Sequence, residues 1–351
     1  MTLQDIVERY RDAFLTRYGA ALHADQWSAL NAIAGCRRGQ YGELLWSCQT
    51  CPHDHLSPRS CGHRACNQCQ QQSTQQWLER QLNKQLPVHY YMATFTLPKE
   101  LRSLALKHRK VVYRILMESA VRTLKTFGIN QSGFEAELGM CAVLHTHTRR
   151  LDFHPHVHVV VPGGGIHRAR REWRKIKGQY LFNGRAMAKV FKATLLKALH
   201  AEGLSAEKTP KQWIVHCDRV GRGKEALQYL SRYLYRGVFS NKNLVSDDGT
   251  HVTFRYKDAS TQNWCERRLP GEDFIHLILQ HVLPKGFRRA RDYGFLHGNA
   301  KALLNVVQWV LKVHKPPSQE KPKGKKFCIA CPRCQGKMHV AGVLPARRAP
   351  G

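Results

Sequence analysis

Acidic residues are scarce in this sequence: 25 Asp and Glu stand against 56 Lys and Arg, a formal net charge of +31 over 351 residues. Such a field attracts polyanions. It sets ordinary metabolic enzymes aside and puts nucleic acid first among partner classes. No apolar run reaches the ~18 residues a membrane-spanning helix needs, so no integral membrane protein and no membrane partner is expected. The opening stretch MTLQDIVERYRDAF carries acids and no apolar core. It is no secretory signal, and a cytoplasmic, nucleoid-associated protein of a bacterial-type cell is expected. Nothing repeats internally, and there is no P-loop of the kind helicases carry. Pervasive disorder is excluded as well, because 42% of the residues are hydrophobic.

What the sequence does have is thiols and imidazoles: twelve Cys and twenty His. In a reducing compartment these read as metal ligands rather than disulfides. Cys48-x2-Cys51 and Cys66-x2-Cys69, fourteen residues apart, offer four thiolates for one tetrahedral structural Zn²⁺. Cys61, His53, His55 and His63 are spare donors, and Cys36 could join a second ion. Taken one at a time, each reads more simply as an ordinary thiol or surface imidazole. Near the C-terminus, Cys328, Cys331 and Cys334 offer three thiolates, with His339 as a fourth donor. A small zinc knuckle and a metal-free remnant are equal readings of that tail, which is basic and expected to be mobile. Cys141, Cys217 and Cys265 stand alone.

Hydrophobic periodicity divides the chain. Spacing of four at Ile6, Tyr10 and Phe14, and again from Trp27 to Ala34, predicts two helices before residue 36. A Cys-rich segment follows, then a polar helix over 70–85. Strands are expected over 90–98, 140–147, 153–161, 213–218 and 252–257. Helices are expected over 99–127, 186–202, 224–236, 272–283 and 298–314. The order lacks regular βαβ alternation. An α+β fold follows, with a central antiparallel sheet flanked by helices and an N-terminal helical, zinc-knuckle module. The expected segments are a helical and zinc-binding DNA-binding domain at 1–86, a catalytic domain at 87–315, and a basic linker with a Cys-rich tail at 316–351.

Two motifs carry chemistry. In LDFHPHVHVVVPGGG, strand alternation puts His154, His156, His158 and Val160 on one face and Phe153, Val157, Val159 and Val161 on the other. A row of imidazoles on an open sheet face suits a divalent ion. A third ligand from the preceding strand, His145 or His147, would leave positions open for phosphate oxygens. In KEALQYLSRYLYR, helical spacing gathers Leu227, Leu230 and Leu234 on one side and Tyr229, Arg232, Tyr233 and Arg236 on the other. Tyrosine is a weak nucleophile, with a pKa near ~10, and metal polarisation of a phosphate would compensate. Its attack would leave a phosphotyrosine that stores the bond for rejoining. Metal-assisted cutting and joining of DNA unites the histidines, tyrosines and charge. Basic runs at 149–192 and 310–351 would track the phosphate backbone, with Trp173, Tyr180 and Phe182 as candidate base stackers and at least one of them a core residue. Arg288, Arg289 and Arg291 are further phosphate-binding candidates.

These motifs carry a family likeness. HPHVHVVVPGGG resembles the His-hydrophobe-His (HUH) motif of rolling-circle nucleases, and YLSRYLYR resembles the helix of their two-tyrosine branch. CQTCPHDHLSPRSCGHRACNQCQ and HVLPKGFRRARDYGFL resemble segments of the insertion-sequence-ninety-one transposases, in the same order from about residue 10 to 335. The likeness implies an HUH-nuclease sheet and rolling-circle transposition through single-stranded DNA at transposon ends and target, with no small-molecule substrate. It implies His156 and His158 as ligands of a catalytic Mg²⁺ or Mn²⁺, with His145 a candidate third. It also implies Tyr229 and Tyr233 as nucleophiles. The family's Asn-Arg-His-Cys is His63-Arg64-Ala65-Cys66 here, so the role of that histidine does not transfer. A plasmid or phage replication initiator, a relaxase, and a non-catalytic zinc-dependent DNA-binding regulator are the alternatives.

Overall fold

Alternation in residues 140–162 builds the centre of the molecule. The computed structural model describes residues 1–69, 71–176, 178, 180–206, 209–234, 238–313 and 328–346, excepting the side chains of 71 and 232–234. Its helices are α1 (Leu3–Tyr18), α2 (Ala24–Gly35), α3 (Gln71–Leu82), α4 (Arg102–Lys107), α5 (Arg109–Asn130), α6 (Gly184–Ala201), α7 (Lys224–Leu234), α8 (Gly271–Leu279) and α9 (Lys301–Val310). Its first strands are β1 (Glu43–Cys48), β2 (Asp54–Pro58), β3 (Tyr90–Thr96), β4 (Met140–His147), β5 (Phe153–Pro162), β6 (Gly164–His167) and β7 (Glu172–Lys175). Then come β8 (Val215–Arg219), β9 (Leu244–Asp247), β10 (His251–Lys257), β11 (Trp264–Pro270), β12 (Ala290–Tyr293), β13 (Ile329–Ala330) and β14 (Lys337–Leu344).

The central sheet is antiparallel, in the order β12-β4-β5-β3-β8. On one face Ala93, Phe95, Ala142, Leu144, Val157, Val159 and Val161 pack against Tyr113, Leu116 and Ala120 of α5 and Phe191, Leu195 and Leu199 of α6. The three valines are fully buried, which contributes about 1.5–3 kcal/mol each. On the other face Tyr90, Cys141, Val143 and Val160 meet Trp77 of α3 and Ala226, Leu227 and Leu230 of α7. The mixed α and β class with antiparallel sheets is therefore as expected.

The PGGG corner after β5 needs its glycines. A Cβ on Gly164 would lie 2.4 Å from the Trp173 ring, and one on Gly165 would lie 2.7 Å from the Glu137 carbonyl oxygen. The corner feeds the β6–β7 hairpin, whose Arg174 pairs with Glu135 while Arg168 of its turn pairs with Glu137. Part of the 149–192 basic run is thus committed to the protein's own carboxylates.

Described residues of the expected segments 1–86, 87–315 and 316–351 contribute to shared cores and sheets. A capping box of Thr2 and Asp5 starts α1. Ile6, Tyr10 and Phe14 of α1 and Leu30 and Ile33 of α2 then share one core with Phe239, Val252, Phe254, Phe274, Ile275 and Ile278. Arg109, buried at the start of α5, donates to the Val282 carbonyl (2.7 Å) and pairs with Asp25 (3.6 Å), joining this core to the central layer. The tail is not a loose appendage. β14 pairs with β1 in the four-stranded sheet β13-β14-β1-β2, so the Cys-rich segment after α2 contains two strands, β1 and β2. No helix of the described residues is long and apolar enough to cross a membrane.

Candidate functional site

The imidazole face of β5 looks toward α7. Antiparallel register sets His145 of β4 opposite His156, and Thr94 of β3 opposite His158. One ring nitrogen each from His145, His156 and His158 then lies within 4.8 Å of the others. His147 has the same parity as His145, but a register shift between them pairs His147 with Phe153. Its ring sits 5.1 Å from that of His281 instead. His154 also stays outside the cluster, its Nδ1 accepting from Arg102 at 2.6 Å.

Hydrogen bonds engage Nδ1 in two of the three rings. His156 Nδ1–H donates to the His154 carbonyl (2.7 Å), and His158 Nδ1 bonds Thr94 Oγ1 (2.9 Å). In both rings Nε2 is left to bind a metal. Burial pushes His156 down to about 4 and His158 to about 3, and holds His145 far below an ordinary imidazole. All three are therefore neutral near pH 7, so a cation displaces no proton. Three nitrogens from two adjacent strands, one donor short of a closed structural site, fit a reactive divalent ion.

Tyr229, half-buried on α7, turns its ring edge-to-face to His158 at 6.2 Å between centroids. Arg289 is close enough for its charge to oppose protonation of His145, His147 and His281. Its neighbour Arg288 is exposed. Tyr233 and Arg232 lie within α7, but their side chains are outside the described residues, as is the whole of Arg236. Of the candidate stackers, Tyr180 is exposed, Trp173 packs on Phe295 and Phe182 is buried in the main core, so Phe182 is not available to bases.

The cysteines regroup. Cys48 and Cys51 do not meet Cys66 and Cys69. One cluster is Cys36, Cys61, Cys66 and Cys69, and the other is Cys48, Cys51, Cys331 and Cys334. The reason is local. Cys36 caps α2 and meets the loop that follows β2, whereas Cys48–Cys51 occupies the turn between β1 and β2 and faces the β13–β14 turn. In the first cluster the sulfurs of Cys36 and Cys61 each lie 3.5 Å from that of Cys69. Sulfurs around a tetrahedral Zn²⁺ at ~2.3 Å stand ~3.8 Å apart, far beyond a disulfide's ~2.05 Å, so the cluster fits structural zinc. The Cys66 thiol draws Cys61 down to about 5, with help from the His63 N–H, which keeps a thiolate available. Cys36 and Cys61, which the sequence offers only as spare donors, carry no C-x2-C signature. Thr94 was missed, and its only signal was its parity on a strand neighbouring the histidines.

Comparison with known proteins points to transposases. Residues 139–302 match the family described as "Putative transposase", and residues 6–97 match "Transposase zinc-binding domain". The chain is similar to "Putative transposase y4qJ" of Sinorhizobium fredii, at 31% identity over 372 residues, covering 95% of this chain and 93% of the relative. It is also similar to "Transposase for insertion sequence element IS801" of Pseudomonas savastanoi pv. phaseolicola, at 28% identity over 335 residues, with 85% and 80% covered.

Proposed function

The chain belongs to the insertion-sequence-ninety-one family of transposases, and from that premise we propose that it is a two-tyrosine nuclease of the HUH type, cutting and rejoining single-stranded DNA in rolling-circle transposition. The observation that carries this reading is the Tyr229 ring set against the cluster of His145, His156 and His158. The proposed substrates are the transposon ends and the target DNA, met in the cytoplasm.

His145, His156 and His158 would hold the catalytic cation. When bound, Mg²⁺ or Mn²⁺ polarises the scissile phosphate and offsets the charge that develops on it. An all-imidazole donor set is softer than Mg²⁺ prefers, so Mn²⁺ is expected to be the better activator. The Tyr229 hydroxyl oxygen attacks phosphorus and forms the new O–P bond. The P–O3′ bond breaks, and its electron pair leaves on the 3′ oxygen. The phenol gives up one proton and the departing 3′ oxygen takes one, so charge and protons balance. The strand's 5′ end is then held as a phosphotyrosine, and attack by a 3′ hydroxyl reverses the step. Tyr233, one turn further along α7, is assigned the second strand. Arg289 is assigned the phosphate charge beside the histidines, with Arg232, Arg236 and Arg288 along the DNA path.

Incubation with labelled single-stranded end DNA and Mn²⁺, followed by a denaturing gel, tests the reading. The wild type should give a covalent adduct. The Tyr229→Phe/Tyr233→Phe variant should give none, while keeping its zinc and its affinity for DNA. An adduct that persists in the double variant sinks the nucleophile assignment. Absence of an adduct from the wild type across many sequences, with binding retained, would favour the non-catalytic regulator.

A further inference from the structure

The second thiol cluster joins parts of the chain that are far apart in the sequence. Residues 48–51 form the turn of the β1–β2 hairpin, and residues 331–334 form the turn of the β13–β14 hairpin. The two hairpins lie edge to edge through β1 and β14, with Cys48 opposite Met338. Each turn contributes a Cys-x2-Cys pair. Cys48 and Cys334 have sulfurs 3.5 Å apart, Cys51 and Cys331 3.8 Å, and all four lie within 4.8 Å of one another. Those separations match the ~3.8 Å edge of a zinc tetrathiolate and are far too long for disulfides.

The backbone is arranged for thiolates as well. The Thr50 N–H donates to the Cys48 sulfur at 3.3 Å and the Gly336 N–H to that of Cys334 at 3.4 Å. Gly336 lets the turns close up, since a Cβ there would lie 2.4 Å from Thr50 Oγ1. Beyond the β1–β14 ladder, little core holds the hairpins together. The buried residues of this unit are Trp46, Met338 and Cys331 itself, with Leu44 and Ile329 partly covered. Small units with so little core are the ones that depend on a structural metal. The zinc-binding family match ends at residue 97, well short of Cys331.

We propose that Cys48, Cys51, Cys331 and Cys334 bind a second zinc ion, which clasps the C-terminal hairpin to β1 and makes a split zinc ribbon from both ends of the chain. Cys328, which is exposed, and His339, opposite Ser47 in the sheet, are not ligands. The clasp stands independently of the nuclease reading, because neither its residues nor its readouts involve DNA cleavage.

The purified full-length chain tests it. Zinc content should fall by one ion per chain in the Cys331→Ser/Cys334→Ser variant, and backbone amides of residues 337–344 should lose protection from hydrogen exchange. Alkylation of the zinc-loaded wild type, mapped by mass spectrometry, avoids any folding defect of the variant. Cys328 should react at once. Cys48, Cys51, Cys331 and Cys334 should react together, and only after a chelator is added. Reaction of these four at the rate of Cys328 before chelation overturns the proposal, and so does unchanged zinc content in the variant.

Discussion

His145, His156 and His158 come from consecutive strands and sit on a sheet whose other face covers the largest core of the molecule. Cys48 and Cys51 wait for Cys331 and Cys334 from the far end of the chain, around a core of little more than Trp46 and Met338. In the first region packing builds the site, and a metal there would be a guest. In the second, the proposed coordination would stand in for packing. The donor counts agree: three nitrogens leave positions for a substrate, whereas four thiolates close the coordination sphere. Metal removal should therefore silence one region and dismantle the other.

The largest effect is expected at the other closed thiolate site. Cys66 is buried beside α1 and α2. Cys66→Ser should lose one zinc and melt the N-terminal core, because structural zinc contributes on the order of 10 kcal/mol of folding energy. Metal analysis with thermal denaturation checks this, and a native melt with zinc lost would erase the contrast. Next comes His156→Ala. Strand cleavage should fall about a thousandfold, as metal polarisation contributes several kcal/mol and each ~1.4 kcal/mol is tenfold. The melting temperature should hardly move. Undiminished cleavage with Mn²⁺ present would remove His156 from the site.

The pH response probes the histidine region without its guest. Burial pushes His281 down to about 4, while its Nε2 bonds the Leu151 carbonyl at 2.9 Å. The unfolded chain protonates this ring below about 6.5 and the folded chain resists until about 4. Stability from His281 is thus complete above 6.5 and drains away as pH falls through that window, by about 3 kcal/mol. His156 and His158 add in the same direction. Urea midpoints of the metal-free chain that do not drop between pH 7 and pH 4.5 would contradict it. The smallest effect should come from Thr94→Val. Valine suits a strand, so the fold should stand, but His158 loses the partner of its Nδ1. Mn²⁺ affinity should weaken about 10- to 100-fold, read from the Mn²⁺ dependence of cleavage.

Strand alternation made β4, β5 and the face of His156 and His158 readable from sequence, and helical spacing did the same for Leu227 and Leu230 beneath Tyr229. These signals lie within single elements. Choosing between His145 and His147 depended on a register shift, which alternation does not encode. The thiols show the same boundary. A Cys-x2-Cys pair announces half of a site, but nothing in either pair names its other half. Proximity in sequence pointed Cys48 and Cys51 toward Cys66 and Cys69. The topology of β1 and β14 sent them to Cys331 and Cys334, and the C-cap of α2 delivered Cys36 to the first cluster. The two-residue β13 and the eight-residue β14 went unread because the apolar pattern of β14 is weak and one of its partners, β1, is nearly the whole chain away.

The pairing of β1 with β14 also sets a timetable during synthesis. From Cys51 to Cys331 is 331 − 51 = 280 residues, which a ribosome adds in roughly 14–56 s at about 5–20 residues per second. Throughout that interval Cys48 and Cys51 form half a site, and the side of β1 that will receive β14 is an open edge able to pair with another chain. The ribbon cannot close before the far hairpin has been made. A copy of the gene broken between codons 233 and 331 would make a protein that keeps these histidines and tyrosines but carries a permanently open edge.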